Sequence, residues 1–342
     1  MYRVPRVAME MDLYLDANEG NRPSPVSFDG LPGRGPDLVR RYPDGARLQQ
    51  LIADHHSLDI ERVLLTNGSN DALDRACRAV LAPGRTAVLP VPTFEMLPRY
   101  VLLSGAEVIE VEWREGSFPI DSVLAATGPE TAALFAVTPN NPTGITIPSE
   151  QLVRMSEACP GVLLIVDLAY VEFADTDPTA LLLERPNVLV TRTCSKARGM
   201  AGLRLGYALG TAEVIRWMRM AGQNYPVSSL SIAIAEEQLK EDGEEITGFI
   251  ARIRSERTVL FEELQQMGAE PWPSEANFVL ARFSDAHAVH VGLAEAGISV
   301  RAFPNRPGLQ DCLRITCPGD EARFERLLTA LRSICRTQKE LS

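Results

Sequence analysis

The sequence predicts an α/β protein: a large domain with a mostly parallel seven-stranded sheet, followed by a smaller α+β domain. Three observations carry this. From about residue 60, short β-branched apolar runs alternate with longer amphipathic segments, the pattern of βα units around a buried parallel sheet. The 342 residues exceed one ordinary domain of roughly 100 to 200. With 45% hydrophobic and 23% charged residues there is ample material for a core, which excludes disordered and fibrous classes.

Strands are predicted from Val63 to Thr66, Thr86 to Leu89, Glu107 to Val111, Ala132 to Val137, Val162 to Val166, Val188 to Thr191 and Leu205 to Leu209. Helices are predicted between them from Asn70 to Leu81, Phe94 to Leu103, Ile120 to Ala126 and Ser149 to Ala158, with Ser149 as the N-cap of the last. Past Gly210 the texture turns helical, from Thr211 to Ala221, Ser229 to Lys240 and Glu244 to Met267, the last long and charged enough to span between lobes. After Gly268, strands from Asn277 to Ala281, Ser299 to Ala302 and Leu313 to Thr316 surround helices from Ala286 to Ala296 and Glu321 to Cys335. The expected division is 1–40 as an N-terminal segment packing on the small domain, 41–245 as the large domain and 246–342 as the small one.

Acidic residues outnumber basic ones, 45 to 34, for a net charge of −11, which argues against a nucleic-acid binder. Six scattered cysteines without CxxC spacing suit reduced thiols and a cytoplasmic location. Glu10, Asp12 and Asp16 interrupt any signal-peptide core, and no run reaches the ~18 apolar residues of a membrane span. No membrane association is expected.

Four polar segments fall at predicted strand ends, where open parallel sheets place ligands. Thr66-Asn67-Gly68-Ser69-Asn70-Asp71 runs from strand through Gly into helix, so helix-start amides could hold a phosphate; alone it reads as a turn with an N-cap. Thr138-Pro139-Asn140-Asn141-Pro142-Thr143-Gly144 is a rigid loop whose Asn amides can donate to an anionic ring oxygen without adding charge. Asp167 terminates the apolar run VLLIV, where a carboxylate needs a cationic partner unless it merely caps the next turn. Finally, Ser195-Lys196-Ala197-Arg198-Gly199 with Arg204 beyond suits a nucleophilic amine beside an anion site, although a solvated surface loop would read the same.

Together these segments resemble the fold-type I pyridoxal-phosphate enzymes, and most closely the histidinol-phosphate aminotransferase family. The resemblance spans LDANEG, RRYPDG at Arg40 to Gly45, NGSNDAL, PTFEMLPRY, NNPTG, DLAYVEF, SKARGMAGLRLGY, SEANFVL and CLRIT. The combination of Asn-Pro-Thr-Gly, Asp-x-x-Tyr and Lys196, in this order along the chain, is highly specific for the superfamily. The resemblance implies that Lys196 forms a Schiff base with pyridoxal 5'-phosphate and then shuttles the α-proton. It implies that Asp167 pairs with the pyridine nitrogen, that Asn141 and Tyr170 bond the ring's phenolic oxygen, and that Phe94 stacks on its face. Ser69, Asn70, Ser195 and Arg204 would bind the cofactor phosphate, joined by Tyr42 from a second subunit of a homodimer. Arg314 would hold the substrate's acidic group, helped by Arg301, Asn277 and Asn141. Leu168, Phe94 and Gly20-Asn21 stand where the family usually has Glu, Tyr and Asn-Pro, and only Tyr2 and Pro5 remain of its longer substrate-covering segment.

The expected activity is amino transfer between glutamate and a 2-oxo or ketone partner, favouring histidinol phosphate. The alternatives of the same fold are an aminotransferase for another aromatic or aliphatic amino acid and a threonine-phosphate decarboxylase. A cofactor-free α/β binding protein leaves Lys196 and Asp167 unexplained. A metal hydrolase lacks ligand spacing around His55, His56, His287 and His290, of which the first two fit an amphipathic helix surface, and a nicotinamide enzyme lacks GxGxxG. No metal is expected.

Overall fold

The computed structural model describes residues 7, 9–20, 37–239 and 243–341, without the side chains of 37, 39 and 337–341, so Tyr2, Pro5 and Asn21 lie outside the described residues. The chain passes through strand β1 (Leu13–Leu15) and helices α1 (Asp37–Arg40) and α2 (Ala46–His55). It then alternates β2 (Val63–Thr66), α3 (Gly68–Val80), β3 (Thr86–Val91), α4 (Leu97–Leu103), β4 (Glu107–Glu112), α5 (Ile120–Ala125), β5 (Thr131–Val137), α6 (Ser149–Ala158), β6 (Leu163–Asp167), α7 (Thr179–Leu182), β7 (Val188–Thr193) and β8 (Gly206–Leu209).

These seven strands form one sheet in the order β2-β8-β7-β6-β5-β3-β4. The sequence explains the placement. Every residue of β5 (TAALFAV) is buried, as a central strand covered on both faces requires, whereas β4 (EVIEVE) exposes Glu107, Glu110 and Glu112 and forms an edge. Alternate residues feed two cores: Leu134, Val166 and Val190 pack on one face, and Phe135, Ile165 and Leu189 on the other. Burying each such side chain contributes roughly 1.5–3 kcal/mol.

All pairings in this sheet are parallel except those of β8. Because β8 runs against its neighbours, Gly206 at its start lies in register with Thr193 at the end of β7 and Thr66 at the end of β2. One sheet edge therefore collects the ends of β2, β5, β6 and β7 and the residues just before β8.

Beyond β8 come α8 (Ala212–Met220), α9 (Ser229–Gln238) and α10 (Glu244–Met267), then β9 (Glu270–Pro271), β10 (Phe278–Arg282), α11 (Ala286–Glu295), β11 (Ile298–Ala302), β12 (Cys312–Thr316) and α12 (Glu321–Leu341). The second sheet has the order β1-β11-β12-β10-β9, with β1 parallel to β11 through Leu13↔Ile298. Leu13 and Leu15 share a core with Phe278, Val300 and Ile315, and Tyr170 and Phe173 from beyond β6 join it. On α10, Arg257 donates to the carbonyls of Phe173 and Ala276, so one side chain ties the segment after β6 to the entry of β10. Among the described residues, no helix is long and apolar enough to cross a membrane.

The structure corrects several local expectations. Ser149 is the first residue of α6 and makes no cap; Pro148 takes that position in extended conformation, and no side chain caps the helix. Helix α4 starts at Leu97 and not Phe94, because Pro98 is tolerated only in a first turn and a start at Phe94 would put it inside the helix. His55 ends α2 exposed, but His56 is half-buried, with Nε2 3.2 Å from the Tyr207 hydroxyl.

Candidate active site

The shared sheet edge brings Asp167, Lys196, Asn141, Ser69 and Arg204 within one region. Asp167 is the last residue of β6 and is buried among apolar neighbours. Burial pushes its pKa up to about 6, opposed by the Thr191 hydroxyl, which donates to Oδ1 at 2.9 Å, the Ala169 amide and the charge of Lys196. A carboxylate in this position favours a cationic partner.

Lys196 lies three residues past the end of β7 and is partly buried. Its Nζ donates to the Ala17 carbonyl at 3.0 Å and sits 5.5 Å from the centre of the Tyr170 ring. Desolvation, then the charges of Arg314 and Arg204, pull its pKa down to about 7, against Glu19 and Asp167. An amine so placed reaches its nucleophilic, neutral form near physiological pH.

A cradle with the geometry to receive an anion forms at the start of α3. The first amides of a helix have no intrahelical acceptor, and Asn67 supplies no side-chain cap here. Gly206 packs directly on that turn: a Cβ there would lie 2.5 Å from the Gly68 carbonyl carbon and 2.6 Å from the Ser69 nitrogen. Arg204 takes a left-handed conformation (φ 52°) just before β8, and its Nη2 would approach a Gly68 Cβ to 2.7 Å. Ser69 and Ser195 are buried, and Thr193 Oγ1 bonds both the Ser195 amide and its hydroxyl. Helix-start amides, two hydroxyls and a guanidinium suit a phosphate monoester.

The second sheet supplies the opposite wall. Arg314 on β12 donates to Asn141 Oδ1 at 2.5 Å and to the Asp16 carbonyl at 2.8 Å. Arg301 on β11 is its register partner, so both side chains leave the same sheet face, and Arg301 pairs with Glu95 at 2.6 Å. Asn277 donates to the Asn18 carbonyl at 3.2 Å, while its buried Oδ1 has no protein partner. Of the Asn-Asn pair, Asn140 is spent on structure, donating to the Pro92 carbonyl and Thr143 Oγ1, which leaves Asn141 for the site.

Phe94 is half-buried between β3 and α4 and packs, with Val91 and Met96, against the core on one face of the large sheet. Tyr42 is 81% exposed and stacks on Tyr225 at 4.7 Å.

Sequence reasoning assigned no role to the segment from Asp16 to Gly20. Asn18 is buried at φ 54° and donates to the Tyr170 hydroxyl at 3.1 Å, accepts from Thr316, and offers its carbonyl to Asn277. Gly20 passes so close that a Cβ would fall 1.9 Å from the Lys196 carbonyl oxygen. The LDANEG run was a visible signal, but its contacts join residues more than 150 positions apart.

Comparison with known proteins agrees with this geometry. The family model "Aminotransferase class I and II" matches residues 38–331. The histidinol-phosphate aminotransferase of Caldanaerobacter subterraneus is 36% identical over 86% of this chain and 85% of its own length. That of Xanthomonas euvesicatoria is 35% identical over 98% and 93%. The crystal structure of histidinol-phosphate aminotransferase from Sinorhizobium meliloti in complex with pyridoxal-5'-phosphate superposes with a TM-score of 0.86 at 26% identity, covering 96% of this chain and 92% of that one.

Proposed function

Because the chain belongs to the class I and II aminotransferase family, we propose that it transfers the amino group of histidinol phosphate to 2-oxoglutarate, giving imidazole acetol phosphate and glutamate. One arrangement carries this reading: the Lys196 amine, the buried Asp167 and the α3 cradle meet at one sheet edge, with Arg314 bonded to Asn141 beside them.

Pyridoxal 5'-phosphate fits these residues. When bound, it supplies an electron sink that makes the hydrogen on an amine-bearing carbon acidic. Ser69, Asn70, Ser195 and Arg204 would hold its phosphate, and Asp167 would answer a protonated ring nitrogen, which satisfies the acid's need for a cation. Asn141 and Tyr170 would bond the phenolic oxygen, and Phe94 would cover the ring face.

Lys196 would take the proton from the substrate's amine-bearing carbon and return it on the far side of the transfer. A pKa near 7 lets the amine do both at neutral pH. Arg314 would bind the substrate's anion with its planar fork, with Arg301 and Asn277 alongside. The exposed Tyr42–Tyr225 stack supports burial against a second copy of the chain, where Tyr42 would reach the partner's cofactor phosphate. The same reading keeps 41–245 and 246–342 as its two domains, closing on the substrate from either side.

The test is glutamate formation from 2-oxoglutarate with histidinol phosphate as donor, together with borohydride reduction and peptide mapping of the holoenzyme. Activity lost in Lys196→Ala and label on Lys196 are expected. Label on another lysine would sink the assignment.

A further inference from the structure

A buried arginine on α3 links the start of that helix to the loop that carries Tyr225. Arg75 is 2% exposed. Its Nε donates to Asp71 Oδ1 at 2.9 Å, one turn earlier, and Asp71 Oδ2 in turn accepts from the Asn67 amide at 2.9 Å. Its Nη2 donates to the Gln223 carbonyl at 3.1 Å, in the loop between α8 and α9. That loop lies directly on the guanidinium: a Cβ on Gly222 would fall 2.0 Å from Arg75 Cζ. A planar fork holds a carboxylate and a carbonyl at once, which a lysine ammonium cannot copy. Two residues past Gln223, Tyr225 takes φ 55°, a left-handed conformation that a bulky side chain rarely adopts and that its surroundings must hold. Its ring stacks on Tyr42, the planes 17° from parallel. Exposed Tyr42 therefore rests on a residue whose loop Arg75 anchors.

We propose that Arg75 is a positioning residue for the cofactor site of the neighbouring subunit: it holds the turn at Gly222 and Gln223, sets Tyr225, and through the stack fixes the Tyr42 that the neighbour uses. Asp71 orients the guanidinium and is itself held by the Asn67 amide, so the anchor is rooted at the helix start. In a two-fold dimer the arrangement is reciprocal, and each Arg75 serves the site across the interface. A Tyr42 without this support must be ordered when the phosphate binds, and that ordering costs affinity.

The inference rests on the shared-site reading above, and a heterodimer separates the two. Cofactor is stripped and titrated back, and the fraction trapped on Lys196 by borohydride is followed. The homodimers are wild type, Tyr42→Phe, Arg75→Lys and Gly222→Ala; the last two are also paired with Lys196→Ala in heterodimers isolated by two different tags. Gly222→Ala asks only the flexible end of Arg75 to move, so it displaces the guanidinium in a chain that keeps the buried arginine. Both homodimers are expected to need about tenfold more cofactor than wild type. In each heterodimer the one Lys196 belongs to the altered chain and receives Tyr42 from a chain with Arg75 in place, so affinity should return to within about twofold of wild type. A site that stays weak in the heterodimer, or homodimers of wild-type affinity, would overturn the proposal, because Arg75 would then act within its own subunit or not at all. Wild-type affinity in Tyr42→Phe would overturn the shared-site reading and the inference with it. A weakened Tyr42→Phe without rescue in the heterodimers would overturn the inference alone.

Discussion

Thr191 donates to Asp167 across two neighbouring parallel strands: the residues are register partners in β7 and β6, and the hydroxyl lies 2.9 Å from Oδ1. This bond and the Ala169 amide only partly offset burial, so Asp167 stays above the usual carboxylate range, at about 6. The shift has a direction for stability. A folded-state pKa raised from 3.8 to about 6 gives a contribution that is complete below about pH 4 and lost as pH rises through 6. Without cofactor, the ionised Asp167 therefore weakens the fold at neutral pH.

Asp167→Asn should then stabilise the cofactor-free protein by about 2 kcal/mol at pH 8 and by less at pH 5, while slowing transamination at least about a hundredfold. Thermal unfolding at the two pH values and the turnover rate check both halves. A variant with near-normal turnover would show that another group serves the ring nitrogen.

The cradle makes a steric prediction. Gly206→Ala would drive a methyl group into the backbone of Gly68 and Ser69, with no flexible side chain to yield. Cofactor affinity, read by fluorescence titration, should fall at least about tenfold and stability by about 2 kcal/mol. Gly128→Ala, where a Cβ meets nothing within 4 Å, is the control and should leave cofactor affinity unchanged.

Glu256 on α10 offers a second pH test, away from the site. It is buried, one oxygen accepts from the Gly319 amide at 2.8 Å, and desolvation raises its pKa from 4.5 to about 7. The contribution it makes is therefore present below about pH 4.5 and lost as pH rises through 7. Glu256→Gln should match wild type near pH 5 and exceed it by about 1 kcal/mol at pH 8 in denaturant unfolding. Equal stability at both pH values would contradict a buried, ionising Glu256.

If two copies share their sites, mixing Lys196→Ala with an Arg41→Glu/Tyr42→Phe double variant should restore activity. Random pairing of equal amounts gives heterodimers with one intact site, and so about a quarter of wild-type activity. A mixture shown to contain heterodimer but without recovery would place Tyr42 in its own subunit's site or outside any site.

The large sheet was legible because its central strands are apolar runs long enough to be buried and its edge strand β4 alternates Glu with Val and Ile, and α10 because its 24 residues carry a sustained charged pattern ending at Gly268. Asp167 was legible for the same reason, a lone acid closing such a run. β1 was not: three residues with alternating burial become a strand only when Leu13 meets Ile298, 285 positions later. Nor was the role of Asn18, whose left-handed backbone turns its amide toward Tyr170 and its carbonyl toward Asn277. Nor was the pairing of Arg301 with Glu95, which exists only once the two sheets face each other.

Amino-donor selectivity tests the central claim most directly. The spectral conversion of cofactor to its amine form is followed with histidinol phosphate, dephosphorylated histidinol, phenylalanine and leucine, and carbon dioxide release is followed with threonine phosphate. Histidinol phosphate is expected to lead by at least about a hundredfold in kcat/KM, the effect of a buried bidentate arginine on the anion it was built for. Equal or faster conversion by phenylalanine or leucine would contradict the histidinol-phosphate reading in favour of a general aminotransferase, and carbon dioxide from threonine phosphate would contradict it in favour of a decarboxylase.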